Sequence, residues 1–266
     1  MRLGASSLGS TPLPKIVGVA VVIFAVLYVL NRLDNSRRRA RRTRKNDAVE
    51  RYARDNGYRF AATDASVDPG WSVWPFSDVQ ILDGTIAHRN VVSGRSDGRD
   101  FVTFEFVRTV RTGHSRDRTS AGAGTEVLRT SVVAVRSPAA TTPTVSVTGY
   151  SGVSALVNVA TTAFVADRFL SVKTGDAQFD SRFSVTAEDA DFARRLLDDR
   201  VRQALLATHV SQRQNSFSAA SGYQIALDRG WLLVVEGAED IGTRLREGLA
   251  AIAAVLDNAD PAVWSS

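Results

Sequence analysis

The chain has 266 residues, 44% of them apolar, and no cysteine. That length admits a membrane anchor with one large domain or two small ones, and that composition excludes a wholly disordered chain. Without cysteine there is no disulfide, no thiolate metal site and no cysteine nucleophile, and the net charge of +5 is unevenly spread.

The first element is apolar. Ile16 to Leu30 reads IVGVAVVIFAVLYVL, with no charge. Widened to residues 13–33 it makes a helix of about 30 Å, the thickness of a bilayer core. Lys15 and Arg32 sit where they can snorkel at its two ends, and Tyr28 near an interface. The residues that follow, NRLDNSRRRARR, offer no small-residue cleavage site, so the segment reads as an uncleaved anchor rather than a signal peptide. Two basic residues precede it and eight follow closely. Positive flanks stay cytoplasmic, which predicts residues 1–12 as a short tail outside and residues 31–266 inside.

Next comes the basic segment. Seven of the nine residues from Arg37 to Lys45 are basic, and residues 31–45 carry +7 once Asp34 is counted. Residues 1–15 add Arg2 and Lys15, so residues 46–266 are left with −4. A nucleic-acid-binding domain spreads positive charge over a folded face. Here the domain itself is acidic, and no nucleic-acid partner is expected. Basic residues beside a span attract anionic headgroups at about 1 kcal/mol each. Arg37, Arg38, Arg39, Arg41, Arg42, Arg44 and Lys45 are therefore the candidate lipid-headgroup contacts, and the lipid bilayer the expected partner.

Residues 34–57 read as a basic juxtamembrane helix or linker. Asp47 and Glu50 make a capping-box start and Asn56-Gly57 a stop. From Tyr58 the period changes to two. Strands are expected at 86–94, 100–110, 126–137 and 144–149, the first two joined by a turn at Asp97-Gly98. In the second strand Val102, Phe104, Phe106 and Val110 face one way and Thr103, Glu105 and Thr109 the other. Residues 111–125 are polar and read as a mobile loop. Residues 151–165 fit helix and strand templates about equally.

Further strands are expected at 169–174 and 178–186. Thr186 and Asp189 then begin a helix with Phe192, Leu196, Val201 and Leu205 on one stripe, and Asp198 offers a cap for a second, separate turn there. A hairpin turns at Asp228-Arg229-Gly230. A last amphipathic helix runs from Asp240 to Leu256, before Pro261. Hairpin-joined strands outnumbering helices predict an α+β protein: an N-terminal transmembrane helix followed by an antiparallel sheet domain, 58–266, with helices packed on one face.

Catalytic signatures are missing. His88, His114 and His209 have no metal-ligand spacing. Gly149-Tyr-Ser151-Gly152 departs from a nucleophile elbow, because Val153 stands where glycine is required. Glu188, Asp189, Asp191, Asp198 and Asp199 cluster where helices begin, which suits the helix dipole. Trp71, Trp74 and Phe76 are the candidate interface aromatics, with covering of one end of the core as the plainer reading. No catalytic residue, metal or cofactor is expected.

The stretches YARDNGYRFAATD, HRNVVSGRSDGRDFVTFEF, FDSRFSVTAEDADFARRLLDDRVRQALL, GWLLVVEG and NADPAVW follow one another in this order after the apolar segment. Together they resemble a family of uncharacterised actinobacterial membrane-anchored proteins, a domain of unknown function, over about residues 12–266. The resemblance implies no activity and no site residues. The sequence thus points to a non-enzymatic interaction or scaffolding domain, tethered to the cytoplasmic membrane and meeting a protein partner it does not name. The alternative is a membrane-tethered hydrolase or transferase whose active site has no recognisable motif.

Overall fold

The computed structural model describes residues 43, 45–67, 70–73, 75–76, 84–112, 124–149, 168–208, 223–236 and 240–265. The predicted span at 13–33 lies outside them, as do Arg37 to Arg42, Arg44, Trp74, His114, His209 and residues 151–165. Among the described residues no helix is long and apolar enough to cross a membrane. The chain divides into two units, Met1–Ala48 and Val49–Ser266. In the first, residues 43 and 45–48 are helical.

The second unit is α+β. It opens with helix α1 over residues 49–55. Gly57, at φ +70°, ends that helix, and the Tyr58 amide donates back to the Ala53 carbonyl at 2.8 Å. This is the expected stop. The expected start is displaced, because residues 45 and 46 are already helical and Asp47 lies inside the helix rather than capping it.

Nine strands follow: β1 (Arg59–Thr63), β2 (Gly84–Ser96), β3 (Arg99–Thr112), β4 (Gly124–Arg136), β5 (Val145–Gly149), β6 (Leu170–Val172), β7 (Phe183–Ala187), β8 (Gln224–Asp228) and β9 (Trp231–Glu236). They form one antiparallel sheet in the order β1-β2-β3-β4-β9-β8-β5-β7-β6. Two hairpins turn where expected. Asp97-Gly98 and Arg229-Gly230 each hold two residues at positive φ, the geometry that matches strand twist in a two-residue loop. Gly230 is also close-packed: a Cβ there would lie 2.6 Å from the Ala140 carbonyl oxygen.

Four more helices accompany the strands: α2 (Ala177–Arg182), α3 (Ala190–Leu196), α4 (Asp199–Ala207) and α5 (Ile241–Leu256). Helix α2 corrects the first part of the expected strand at 178–186; extended backbone begins at Phe183 and runs to Ala187. Asp176 caps α2, accepting from the amides of Gln178 at 2.9 Å and Phe179 at 3.1 Å. The helix expected after Asp189 is two helices, the second beginning at the separate turn that Asp198 offers to cap. Asp189 caps α3 and Asp198 caps α4.

The pleat sorts the apolar residues into two layers. One layer joins Phe101, Val133, Val135, Val145, Val147, Val185, Ile225, Leu227, Leu232 and Val234 to buried residues of all five helices. The other joins Val102, Phe104, Phe106, Val132, Ala134, Ala226, Leu233 and Val235 to Trp71, Val73 and Phe76. The helices therefore cover one face, and Trp71, Val73 and Phe76 pack on the other. Strands β8 and β9 lie beneath both layers, which is why every residue of β8 is buried.

Candidate functional site

Helix α5 builds the polar features of the domain. Asp240 caps it, accepting from the amides of Gly242 at 3.0 Å and Thr243 at 3.1 Å. The hydrogen bonds from Thr243, side chain and backbone, hold the Asp240 carboxyl below its usual range. Ile241, Leu245, Ile252 and Val255 then face the sheet. Closest approach falls at Gly248, where a Cβ would stand 2.7 Å from Val133 Cγ2. That contact lets the helix lie down on β4.

One turn before Gly248 lies Arg244, 2% exposed. Beneath it the register aligns Glu105 of β3 with Ser131 of β4, and Ser131 with Glu236 of β9. All three are buried. Arg244 Nη1 donates to Ser131 Oγ at 2.9 Å. Burial pushes the guanidinium pKa down, and the charges of Glu105, Glu236 and Asp240 push it back up. An arginine retains its proton under such pressure. The row Glu105–Ser131–Glu236 with Arg244 above it is a buried ionic cluster under a helix. Tyr223 belongs to the same neighbourhood: burial, then the Glu236 charge, raises its phenol far above the usual value.

Beside α5 the surface opens into a groove of about 300 Å³. Tyr52 of α1, Tyr58 before β1, the β2–β3 turn at Ser96, Asp97 and Arg99, and Arg246 and Ala250 of α5 form its walls. Val135, Leu245, Leu249, Ile252 and Ala253 supply its apolar lining. Two close approaches seat the phenols. A Cβ at Gly94 would lie 2.5 Å from the Tyr58 ring, and one at Gly242 3.2 Å from the Tyr52 ring. Burial, with Tyr58 nearby, raises the Tyr52 phenol, and Arg246 opposes the shift. Arg99 pairs with Asp257. Arg246 is exposed at the rim.

The candidates from sequence fall elsewhere. Trp71 and Phe76 are 3% and 4% exposed. Trp71 stacks on Phe104 at 6.0 Å and meets Phe76 edge-on at 4.9 Å. These two rings are core, as the plainer reading had it, and offer no surface to a partner. Lys45 begins the described run of helix before α1. His88 is a buried ring set edge-on to Phe104 at 5.1 Å.

The acidic cluster disperses into caps and pairs. Asp189 and Asp198 cap helices, Asp191 pairs with Arg194 at 2.7 Å, and Glu188 accepts from the Thr144 amide at 2.8 Å and pairs with Arg168. No metal-binding group of acids and histidines occurs among the described residues.

Sequence reading missed the groove and the ionic cluster. The one available signal was Arg244, a charge placed three residues after Ile241 and beside Leu245 on an otherwise apolar stripe.

No family model and no curated protein sequence matches the chain. Among solved structures, the mycobacterial trehalose monomycolate transport factor A, TtfA, aligns at 15% identity with a TM-score of 0.48. The alignment covers 80% of this chain and 92% of that one.

Proposed function

We propose that the chain is a single-pass protein of the cytoplasmic membrane, N-terminus outside, whose α+β domain acts without catalysis as an interaction or scaffolding module. The observation that carries this reading is the partition of charge. Seven basic residues in nine follow a span-length apolar run, and the domain after them has a net charge of −4. Such a flank fixes orientation and draws in anionic headgroups. It leaves the domain as the part available to a protein partner in the cytoplasm.

Impermeant maleimide on intact cells tests the topology. A cysteine at Ser6 should react and one at Ser266 should not. The reverse pattern overturns the orientation, and reaction at neither site in a chain that carbonate extracts from membranes overturns the tether. The scaffold role is tested by proximity labelling from the full chain in its native cell. The expected outcome is a short, reproducible set of membrane or membrane-proximal proteins. Turnover of a small metabolite by the purified chain would favour the tethered enzyme instead.

A further inference from the structure

We infer that the buried ionic cluster is a register lock: Arg244, seated on Ser131 between Glu105 and Glu236, admits α5 to the sheet at one position along β4 and rejects the positions one turn away. The inference goes beyond the scaffold reading and holds whether or not the chain is tethered.

The need for a lock arises in the helix itself. Helix α5 follows β4, with Arg244 on Ser131 and Gly248 against Val133. Its buried apolar residues recur at turn spacing: Ile241, Leu245, Ala251, Ile252 and Val255. A helix shifted by one turn, about 5 Å, still lays apolar residues on the sheet, so the stripe alone does not choose a position. The polar residues do. Residues three apart share a helix face, so a shift one way brings Ile241 over Ser131 and a shift the other way brings Glu247 there. Ile241 would cover Glu105 and Glu236 with an apolar side chain. Glu247 would add a third acid to two that are buried. Either shift leaves buried charge without its cation, which is the costly case. Arg89 stands opposite Glu105, and Arg129 lies two residues before Ser131. Both belong to the sheet and keep their places in every register, so the residue that α5 presents makes the difference. Gly248 acts in the same sense. A Cβ there would stand 2.7 Å from Val133 Cγ2, and one turn on Ala251 would bring that Cβ.

A buried ion cluster exchanged whole for apolar side chains of similar volume often leaves stability unchanged or raised. A lock therefore predicts a variant that is stable and yet slides. The full-length protein is compared with the triple variant Glu105→Met, Glu236→Met, Arg244→Met. The chain has no cysteine, so nitroxides attach only at two added ones, Val127→Cys on β4 and Ala250→Cys on α5, both at exposed positions. Double electron–electron resonance between them reads displacement of the helix along the strand. With the cluster intact, one narrow distance peak is expected. The triple variant should melt no lower than the labelled protein with its cluster intact, and should show a second peak displaced by about 5 Å.

A single peak at the original distance in the triple variant overturns the lock, because α5 then finds its place without the charges. A triple variant that melts well below the intact protein, or does not fold, makes the cluster a source of stability rather than of register and overturns the lock as well. Two peaks with the cluster intact overturn it outright.

Discussion

The buried carboxylate of Asp228, at the end of β8, accepts from both the backbone amide and the hydroxyl of Ser72, and from Thr144 Oγ1 at 3.2 Å. This one side chain fastens Ser72, between Trp71 and Val73, to the sheet. Trp71, next in the chain, is thereby held flat on Phe104. Asp228→Ala removes the acceptor and leaves the Ser72 amide and both hydroxyls to find others. The expected cost is about 1–3 kcal/mol. Tryptophan emission should shift to the red as Trp71 gains water, which a merely local loss would not produce. Unchanged emission with an unchanged melting point would disprove the fastening.

Gly248 sets the distance between α5 and the sheet. Alanine there is normally the better helix former, by about 1 kcal/mol. Here its methyl meets Val133 at 2.7 Å, and overpacking costs about 1–3 kcal/mol. Gly248→Ala should therefore lower the urea midpoint, and Gly248→Ala with Val133→Ala should recover part of the loss. A stabilised single variant would show that the helix lies further off than described.

Arg244 answers two buried acids. Removing it with Arg244→Met strands Glu105 and Glu236 under α5, at about 3–5 kcal/mol. Adding Glu105→Gln and Glu236→Gln removes the stranded charges, and much of the loss should return. Chemical denaturation at neutral pH of the wild type, Arg244→Met, the Glu105→Gln/Glu236→Gln protein and the triple variant measures the coupling. Simple additivity would mean that the three side chains do not act as one cluster.

The pH dependence has two arms of opposite sign. Asp240 has a folded pKa below its unfolded one, so its contribution is present above the unfolded carboxylate range. It is lost as pH falls through the folded value. Tyr223 has a folded pKa above its unfolded one, so its contribution is full below about pH 10 and is lost as pH rises beyond that. Melting temperature measured from pH 3 to pH 11 should decline at both ends. Asp240→Ala should cost about 1 kcal/mol at neutral pH and make the acid arm shallower, the rest of it coming from Asp64, Asp176, Glu188 and Asp189, whose carboxyls are also held low, and Asp240→Asn should keep most of the cap. Tyr223→Phe should make the alkaline arm shallower and leave the acid arm unchanged, Tyr52 keeping a share of the alkaline loss.

The sequence disclosed what depends on near neighbours. Alternation placed Val102, Phe104 and Phe106 on one face of β3, and Asp97-Gly98 announced its hairpin, because period and turn chemistry are local. The strand expected at 178–186 failed for an equally local reason. Phe179 and Phe183 fit either period, and the deciding signal was the cap at Asp176, which alternation alone does not weigh. The groove and the ionic cluster were illegible because each is assembled from elements far apart in the chain. Nothing near Glu105 in the sequence says that Glu236 will lie two strands over and Arg244 above both. Trp71 and Phe76 stood out as unusual, but the pattern could not show that a carboxylate on β8 would draw their segment over the sheet.

The position of the β8–β9 hairpin has a consequence for how the molecule is made. β4 and β5 are consecutive in the chain, yet the hairpin of residues 224–236 stands between them. A ribosome releases β1 to β4 and then β5 to β7 as two separate leaves, each with an open edge that the other cannot fill. Only when the last sixth of the chain emerges can they be zipped into one sheet. Pairings of such long range close slowly, and exposed edges invite wrong partners while they wait. Stalled or truncated chains ending before residue 224 should therefore be the species that aggregates and recruits chaperones, whereas full-length chains, once joined, keep their central hairpin among the last amides to exchange with solvent.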